Sequence, residues 1–145
     1  ISGLFMDPIY DSFPASSAGD LTGTMPSNIS EDTISSTVTW NWNSNNWDGY
    51  FRLSHLYSSE AKLLENPAWQ SILEAAGNGI KTQDTLNFSA GLDKDNLSIM
   101  FWAKNINDDK YLISAFPAVA DPTSSTFFGY PNAYRTYGLT VNYMF

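Results

Sequence analysis

Thr136-Tyr137-Gly138-Leu139-Thr140-Val141-Asn142-Tyr143-Met144-Phe145 alternates strictly, with Tyr137, Leu139, Val141, Tyr143 and Phe145 in one register and Thr136, Gly138, Thr140, Asn142 and Met144 in the other. A period of two places the first set on one face of a β-strand, and the pattern predicts a strand that runs to the final residue. Upstream, Leu97, Ile99, Phe101 and Ala103 form a second apolar row, although Met100 and Trp102 interrupt the polar row of Ser98 and Lys104. Leu86, Phe88, Ala90 and Leu92 alternate with Thr85, Asn87, Ser89 and Gly91, and Asp93 to Asn96 supplies a short turn between the two runs. This spacing predicts a hairpin. A second hairpin is expected where Ile34, Ser36, Val38, Trp40 and Trp42 lead through Asn43 to Asn46 into a return strand from Trp47, with Phe51, Leu53, His55 and Tyr57 on one face. Gly3 to Phe13 is read as the end of a further strand, against which Pro8 and Pro14 argue.

The connections alternate in length. Two turns take a handful of residues each, whereas Pro14 to Asp32, Ser58 to Asp84 and Ile106 to Tyr134 are read as long loops. Such loops are uncommon in a compact soluble domain. In transmembrane β-barrels, short turns on one side and long loops on the other are the rule. One long loop should hold a short helix, since Asn66 can cap it, Pro67 suits its first position and Gly77 its end. Ala68, Trp69, Ile72, Leu73 and Ala76 are expected on its packed side.

The 145 residues are 43% hydrophobic and 15% charged, which fits a folded chain rather than a disordered one. Fifteen acidic against seven basic residues give a net charge of −8, and no basic cluster is present, so nucleic acid is excluded as an expected partner. Without cysteine, and with His55 as the one histidine, no disulfide, thiolate or multi-histidine metal site can form. No apolar run is long enough for a transmembrane helix, but a spanning strand needs only about ten alternating residues. Because the chain opens on Ile1 with no signal-peptide pattern, it is expected to be a piece of something longer.

Several ordered segments resemble a known family. Asn105-Ile106-Asn107-Asp108-Asp109-Lys110-Tyr111 resembles the Asn-Leu-x-Asp-x-x-Tyr segment near the end of TonB-dependent outer-membrane receptors. Gly129-Tyr130-Pro131 and Tyr134-Arg135-Thr136-Tyr137-Gly138 resemble their Gly-x-Pro and Pro-Arg-x-Tyr-Gly segments, and the chain closes on Tyr143-Met144-Phe145. Leu21-Thr22-Gly23-Thr24-Met25-Pro26 is similar, more loosely, to a Leu-x-Gly-x-x-x-Pro stretch of the same family. Ala133-Tyr134 and Met144 depart from its usual residues. The resemblance implies an all-β fold: the last five or six antiparallel strands of an up-and-down transmembrane barrel of about 22 strands, with the plug domain and TonB-contacting segment outside this chain. It also implies the outer membrane of a Gram-negative bacterium, lipid contact and energised uptake of a siderophore, metal chelate or similar small molecule. TonB would be reached only through the N-terminal part.

The same resemblance makes Tyr137, Gly138, Leu139, Val141, Tyr143 and Phe145 a signal for the barrel-assembly machinery. Trp40, Trp42, Trp47, Phe51, Tyr57, Phe101 and Tyr143 are expected on the lipid side, with Trp42 and Trp47 in a periplasmic girdle. Arg52, Lys104 and Arg135 are assigned to the opposite, lumen-facing surface, where solvated or internal ion pairs are the default. Trp69, Phe127, Phe128 and Tyr130 are candidate ligand contacts on loops. Neither catalytic residues nor a cofactor are expected: Asp93-Lys94-Asp95-Asn96 has Ser98 and Lys104 where a calcium loop needs Gly and Glu. The alternative function is a soluble β-sandwich that binds carbohydrate through its aromatic row. A secreted β-rich enzyme ranks below both.

Overall fold

The computed structural model describes residues 1–118 and 125–145. It is an antiparallel β-structure with one short helix. The strands are β1 (Ser2–Phe5), β2 (Asp32–Ser44), β3 (Trp47–Lys62), β4 (Ile80–Lys94), β5 (Leu97–Lys104), β6 (Leu112–Pro117), β7 (Phe127–Pro131) and β8 (Thr136–Tyr143), with α1 at Pro67–Ala75. Six strands form one sheet in the order β1-β2-β3-β4-β5-β8, and β6 and β7 form a separate hairpin. The large sheet does not close, so β1 and β8 are its edges.

The register carries the two-faced pattern across the whole sheet. Trp40 lies opposite Phe51, Phe51 opposite Ala90, Ala90 opposite Phe101, and Phe101 opposite Leu139. Residues directly opposite share a face, so the apolar rows of β2, β3, β4, β5 and β8 merge. On the other face Thr39, Arg52, Ser89, Trp102 and Gly138 form the corresponding polar row.

Both tight turns are two-residue loops at one end of the sheet. Asn45 and Asn46 have φ of 52° and 61°, the left-handed pair that a type I′ hairpin requires. Asp95, with φ of 49°, opens the other turn. The three long connections lie at the opposite end. The loop read as Ser58 to Asp84 is shorter than expected, because β3 continues to Lys62 and β4 begins at Ile80. A bulge between Ser58 and Ala61 shifts the register there, which ends the visible period of two. The loop read as Ile106 to Tyr134 contains the β6–β7 hairpin; its positions 119–124 lie outside the described residues. Within Gly3 to Phe13 only the stretch to Phe5 is strand. β8 stops at Tyr143 rather than at Phe145, because its last partner is Leu97, the first residue of β5.

Helix α1 is capped as expected: the Asn66 side chain accepts from Ala68 N (3.0 Å) and Trp69 N (3.3 Å), and Pro67 occupies the first turn. Its packed face differs from the expected one. Leu73 and Gln70 are buried, whereas Ala68, Ile72 and Ala76 are exposed. Gln70 wins that place by hydrogen bonding, since Oε1 accepts from Leu64 N (2.9 Å) while Nε2 donates to Gly79 O (2.6 Å) and Glu74 Oε1 (2.7 Å). Leu73 joins Leu63 and Ala115 in a small core flanked by Leu64, Leu112 and Phe127.

Aromatic rings cover glycines across neighbouring strands. Trp42 faces Gly49, Tyr50 faces Gly91, and Trp102 faces Gly138. A Cβ built on any of the three glycines would overlap the ring opposite. This explains why Trp102 stands in a polar row: its indole lies over the backbone of β8. Gly138→Val is expected to destabilise by about 1–3 kcal/mol through overpacking. Pairing it with Trp102→Ala should restore part of the loss in a double-mutant cycle of denaturant unfolding, whereas strictly additive effects would remove this reason for the glycine.

Candidate functional site

The merged apolar face is the candidate site. Val38, Trp40 and Leu139 are 68%, 64% and 66% exposed, and no large side chain among the described residues is fully buried. Rings run along this face without a break: Trp42 and Phe51 have centroids 4.8 Å apart, Phe51 and Phe88 6.2 Å, and Phe88 and Phe101 6.2 Å. The face therefore presents an apolar surface of the kind that marks an interaction site. Trp40, Trp42, Trp47, Phe51, Tyr57, Phe101 and Tyr143 all share it by register, as expected from their spacing. So do Tyr137, Leu139 and Val141, whereas Gly138 belongs to the opposite row and Phe145 lies beyond the ladder.

On the polar face Arg52 lies opposite Thr39, and Lys104 lies opposite Thr136 with its ammonium 5.6 Å from the Trp102 ring. Arg135 lies one residue before β8, outside the ladder, so strand pairing does not assign it to that face. Its position serves the preceding turn. The Lys110 ammonium, 3.1 Å from Asp108 Oδ2, holds the Asp108 carboxyl below its ordinary range, and Arg135 adds to this by its charge and its backbone N–H.

At the long-connection end, the family-like segment is a structural knot. Asn105, with φ of 51°, is buried; its Nδ2 donates to Asp109 O and Ala133 O (both 2.9 Å) and its Oδ1 accepts from Asp109 N (2.8 Å). Buried Asn132 donates to Asp109 O (2.8 Å) and accepts from Tyr111 N (3.1 Å). β5 ends at Lys104 while β4 begins at Ile80, which leaves a stretch of β4 without its neighbour. Side chains of the turn supply the missing partners: Leu86 N donates to Asn107 Oδ1 (3.0 Å), Asp84 N donates to Asp109 Oδ2 (2.7 Å), and Asn107 Nδ2 donates to Asp84 O. Burial, then the Asp109 charge, raises the Tyr111 hydroxyl above its ordinary range against a hydrogen bond with Thr85.

The four loop aromatics separate. Phe127 packs on the small core, and Trp69 is half-buried on α1. Phe128 and Tyr130 are exposed and share a face with Phe116, whose ring centroid is 5.6 Å from Phe128 and 5.8 Å from Tyr130. Sequence reasoning missed Phe116, although the apolar run Leu112 to Phe116 was a usable strand signal.

It also missed a tie across the cleft of 220 Å³ between α1 and the segment of residues 6–31. Ser27 N donates to Glu65 Oε2 (2.8 Å), Asn28 N to Lys62 O (2.7 Å) and Asn28 Nδ2 to Leu63 O (3.1 Å). Partial burial alone would raise the Glu65 carboxyl. Hydrogen bonds from Ser27 and Tyr10, with the Lys62 charge nearby, outweigh it and hold the carboxyl below its ordinary value of 4.5. The Tyr10 hydroxyl is raised in turn, chiefly because it donates to Glu65. A depressed carboxyl stabilises the fold above its unfolded value and loses that contribution as pH falls through its folded value. Exchange protection of the Ser27 amide, corrected for intrinsic rate, should therefore drop below about pH 4.5, and Glu65→Gln should flatten that step. An unchanged step in the variant would assign the loss to another carboxylate.

No family model, curated protein or solved structure matches this chain. The functional reading therefore rests on its own geometry. Among the described residues no cluster of three or more His, Cys, Asp or Glu could hold a metal ion. No helix among the described residues is long and apolar enough to cross a membrane, a statement that does not concern strands.

Proposed function

We propose that this chain is the C-terminal part of the β-barrel of a TonB-dependent outer-membrane receptor, forming wall and outer loops for energised uptake of a small molecule or metal chelate. The observation that carries the reading is the continuous, uncovered apolar face of a single-layer antiparallel sheet. In a bilayer such a face needs no second layer, and unpaired backbone is avoided by closing the sheet with further strands. Its dimensions agree. Trp47 and Tyr57 stand ten residues apart on the apolar face of β3. At about 3.3 Å per residue and a tilt of about 40°, that separation spans roughly 25 Å of membrane, the height of an apolar barrel band. Rings also mark both limits, with Trp47 and Tyr143 near the tight turns and Tyr57 and Tyr137 towards the long connections, in keeping with aromatic girdles at both interfaces.

The rival reading, a sugar-binding β-sandwich, draws on the same rings. A sandwich covers one face of each sheet with the other. The second sheet described here, β6–β7, instead packs through Ala115, Leu112 and Phe127 on Leu63 and Leu73. Fractionating cells that make the natural protein tests the proposal. Recovery with outer membranes, and a band whose mobility shifts on boiling in detergent, is expected. Recovery as a monodisperse soluble protein without detergent would overturn it.

A further inference from the structure

At the tight-turn end of the apolar face, Trp47, Lys94, Asp95, Asn96, Leu97 and Tyr143 line an open cleft of 430 Å³. The Lys94 ammonium stands 5.4 Å from the centre of the Trp47 ring. It has no carboxylate within 4.0 Å; the ion pairs among the described residues are His55 with Asp84 and Lys110 with Asp108. Asp95, adjacent in sequence, is likewise outside any ion pair, and its left-handed backbone begins the turn. The Asn96 amide is already engaged, donating to Met144 O at 2.8 Å. The cleft thus offers one positive and one negative charge that do not neutralise each other. Two amphipathic rings border it, and through Leu97 it opens onto the apolar face.

The complement of that arrangement is a molecule with an anion and a cation a few bonds apart, joined to an apolar tail. We infer that the cleft seats the headgroup of a zwitterionic phospholipid of the phosphoethanolamine type, with Lys94 taking the phosphate and Asp95 the primary ammonium. This deepens the proposed function and rests on its lipid-facing sheet. Charge selects the occupant. An anionic lipid would leave Asp95 without a partner in a cleft whose one cation is Lys94. A trimethylated headgroup keeps its charge but has no N–H to donate to Asp95, and charge-assisted hydrogen bonds are the stronger ones.

The test uses the full natural protein in nanodiscs of phosphatidylethanolamine, phosphatidylcholine or phosphatidylglycerol, with retained lipid counted by native mass spectrometry. Wild type should retain phosphatidylethanolamine, and Lys94→Met should lower that retention roughly tenfold, the worth of one charge-assisted hydrogen bond. Asp95→Asn should shift preference towards phosphatidylglycerol. Equal retention of all three lipids, or retention unaffected by both variants, would overturn the headgroup site. In the same discs, quenching of tryptophan fluorescence by brominated acyl chains reports the face itself. Quenching without headgroup preference overturns only this inference, whereas absence of quenching overturns the lipid-facing reading with it.

Discussion

On the proposed lipid-facing sheet, Leu139→Arg should largely abolish membrane assembly of the protein, while Asn142→Arg three residues further along the same strand should be tolerated. Leu139 sits on the apolar face opposite Phe101, and Asn142 sits on the polar face opposite Ser98. An arginine on the lipid side near the bilayer midplane costs about 2–4 kcal/mol, against about 0.5 kcal/mol or less for an ordinary surface substitution. The first figure is comparable to a large part of a protein's net stability. Heat-modifiable gel mobility and urea unfolding in lipid vesicles would read the difference. Equal behaviour of the two variants would show that the apolar face is not in lipid. A soluble protein packed through this face to a partner would also suffer from Leu139→Arg, so the decisive comparison is between detergent-free and lipid-reconstituted samples.

Asn105→Ala should be the most damaging change outside the sheet. The buried side chain makes three hydrogen bonds, and its loss leaves Asp109 N, in a partly buried residue, and the carbonyl of exposed Ala133 unpaired. Each abandoned group costs about 1–3 kcal/mol, and a left-handed alanine adds about 1–2 kcal/mol. With Asp109 only partly buried and Ala133 exposed, the low end of each range applies, and a total loss of about 3 kcal/mol is expected. Asn105→Gly should recover the backbone share alone. Denaturant midpoints for the three proteins would rank wild type first, glycine second and alanine last. Alanine equal to wild type would mean that the knot around Asp109 and Asn132 is held by other bonds.

The strands were legible wherever one face is apolar and unbroken. Asn45-Asn46 and the turn at Asp95 announce themselves because few residues accept left-handed backbone. Legibility failed where local chemistry replaced periodicity. At Ser58 the bulge flips the alternation, so the last turn of β3 read as loop. Gln70 is buried by three hydrogen bonds, which a hydrophobic stripe does not foresee. Trp102 looked like an error in a polar row until Gly138 was seen beneath it. At the candidate site, the shared face of the aromatics followed from parity alone, whereas the tie from Glu65 to Tyr10 and Ser27 joins segments far apart in the chain and carries no local signature. Phe127 and Phe128 are neighbours with opposite fates, one packed and one exposed, because they alternate on a hairpin that was read as loop.

That hairpin also bears on the order in which the sheet assembles. β2 to β5 are joined by contacts that grow outward from the tight turns and a capped helix, so each pairing asks for little chain entropy. β8 must instead find β5 across everything from Asn105 to Arg135. The bonds from Asn105 to Ala133 and from Asn132 to Asp109 and Tyr111 pinch the two ends of this excursion together. Once β6 and β7 have zipped, the loop left to close is only a few residues at each end, and closure entropy falls with the length of chain still free. The knot thus acts as a chain shortener. It lets the final strand behave kinetically like a neighbour rather than a distant segment, so weakening it should slow docking of β8 far more than it slows formation of the β2–β5 meander.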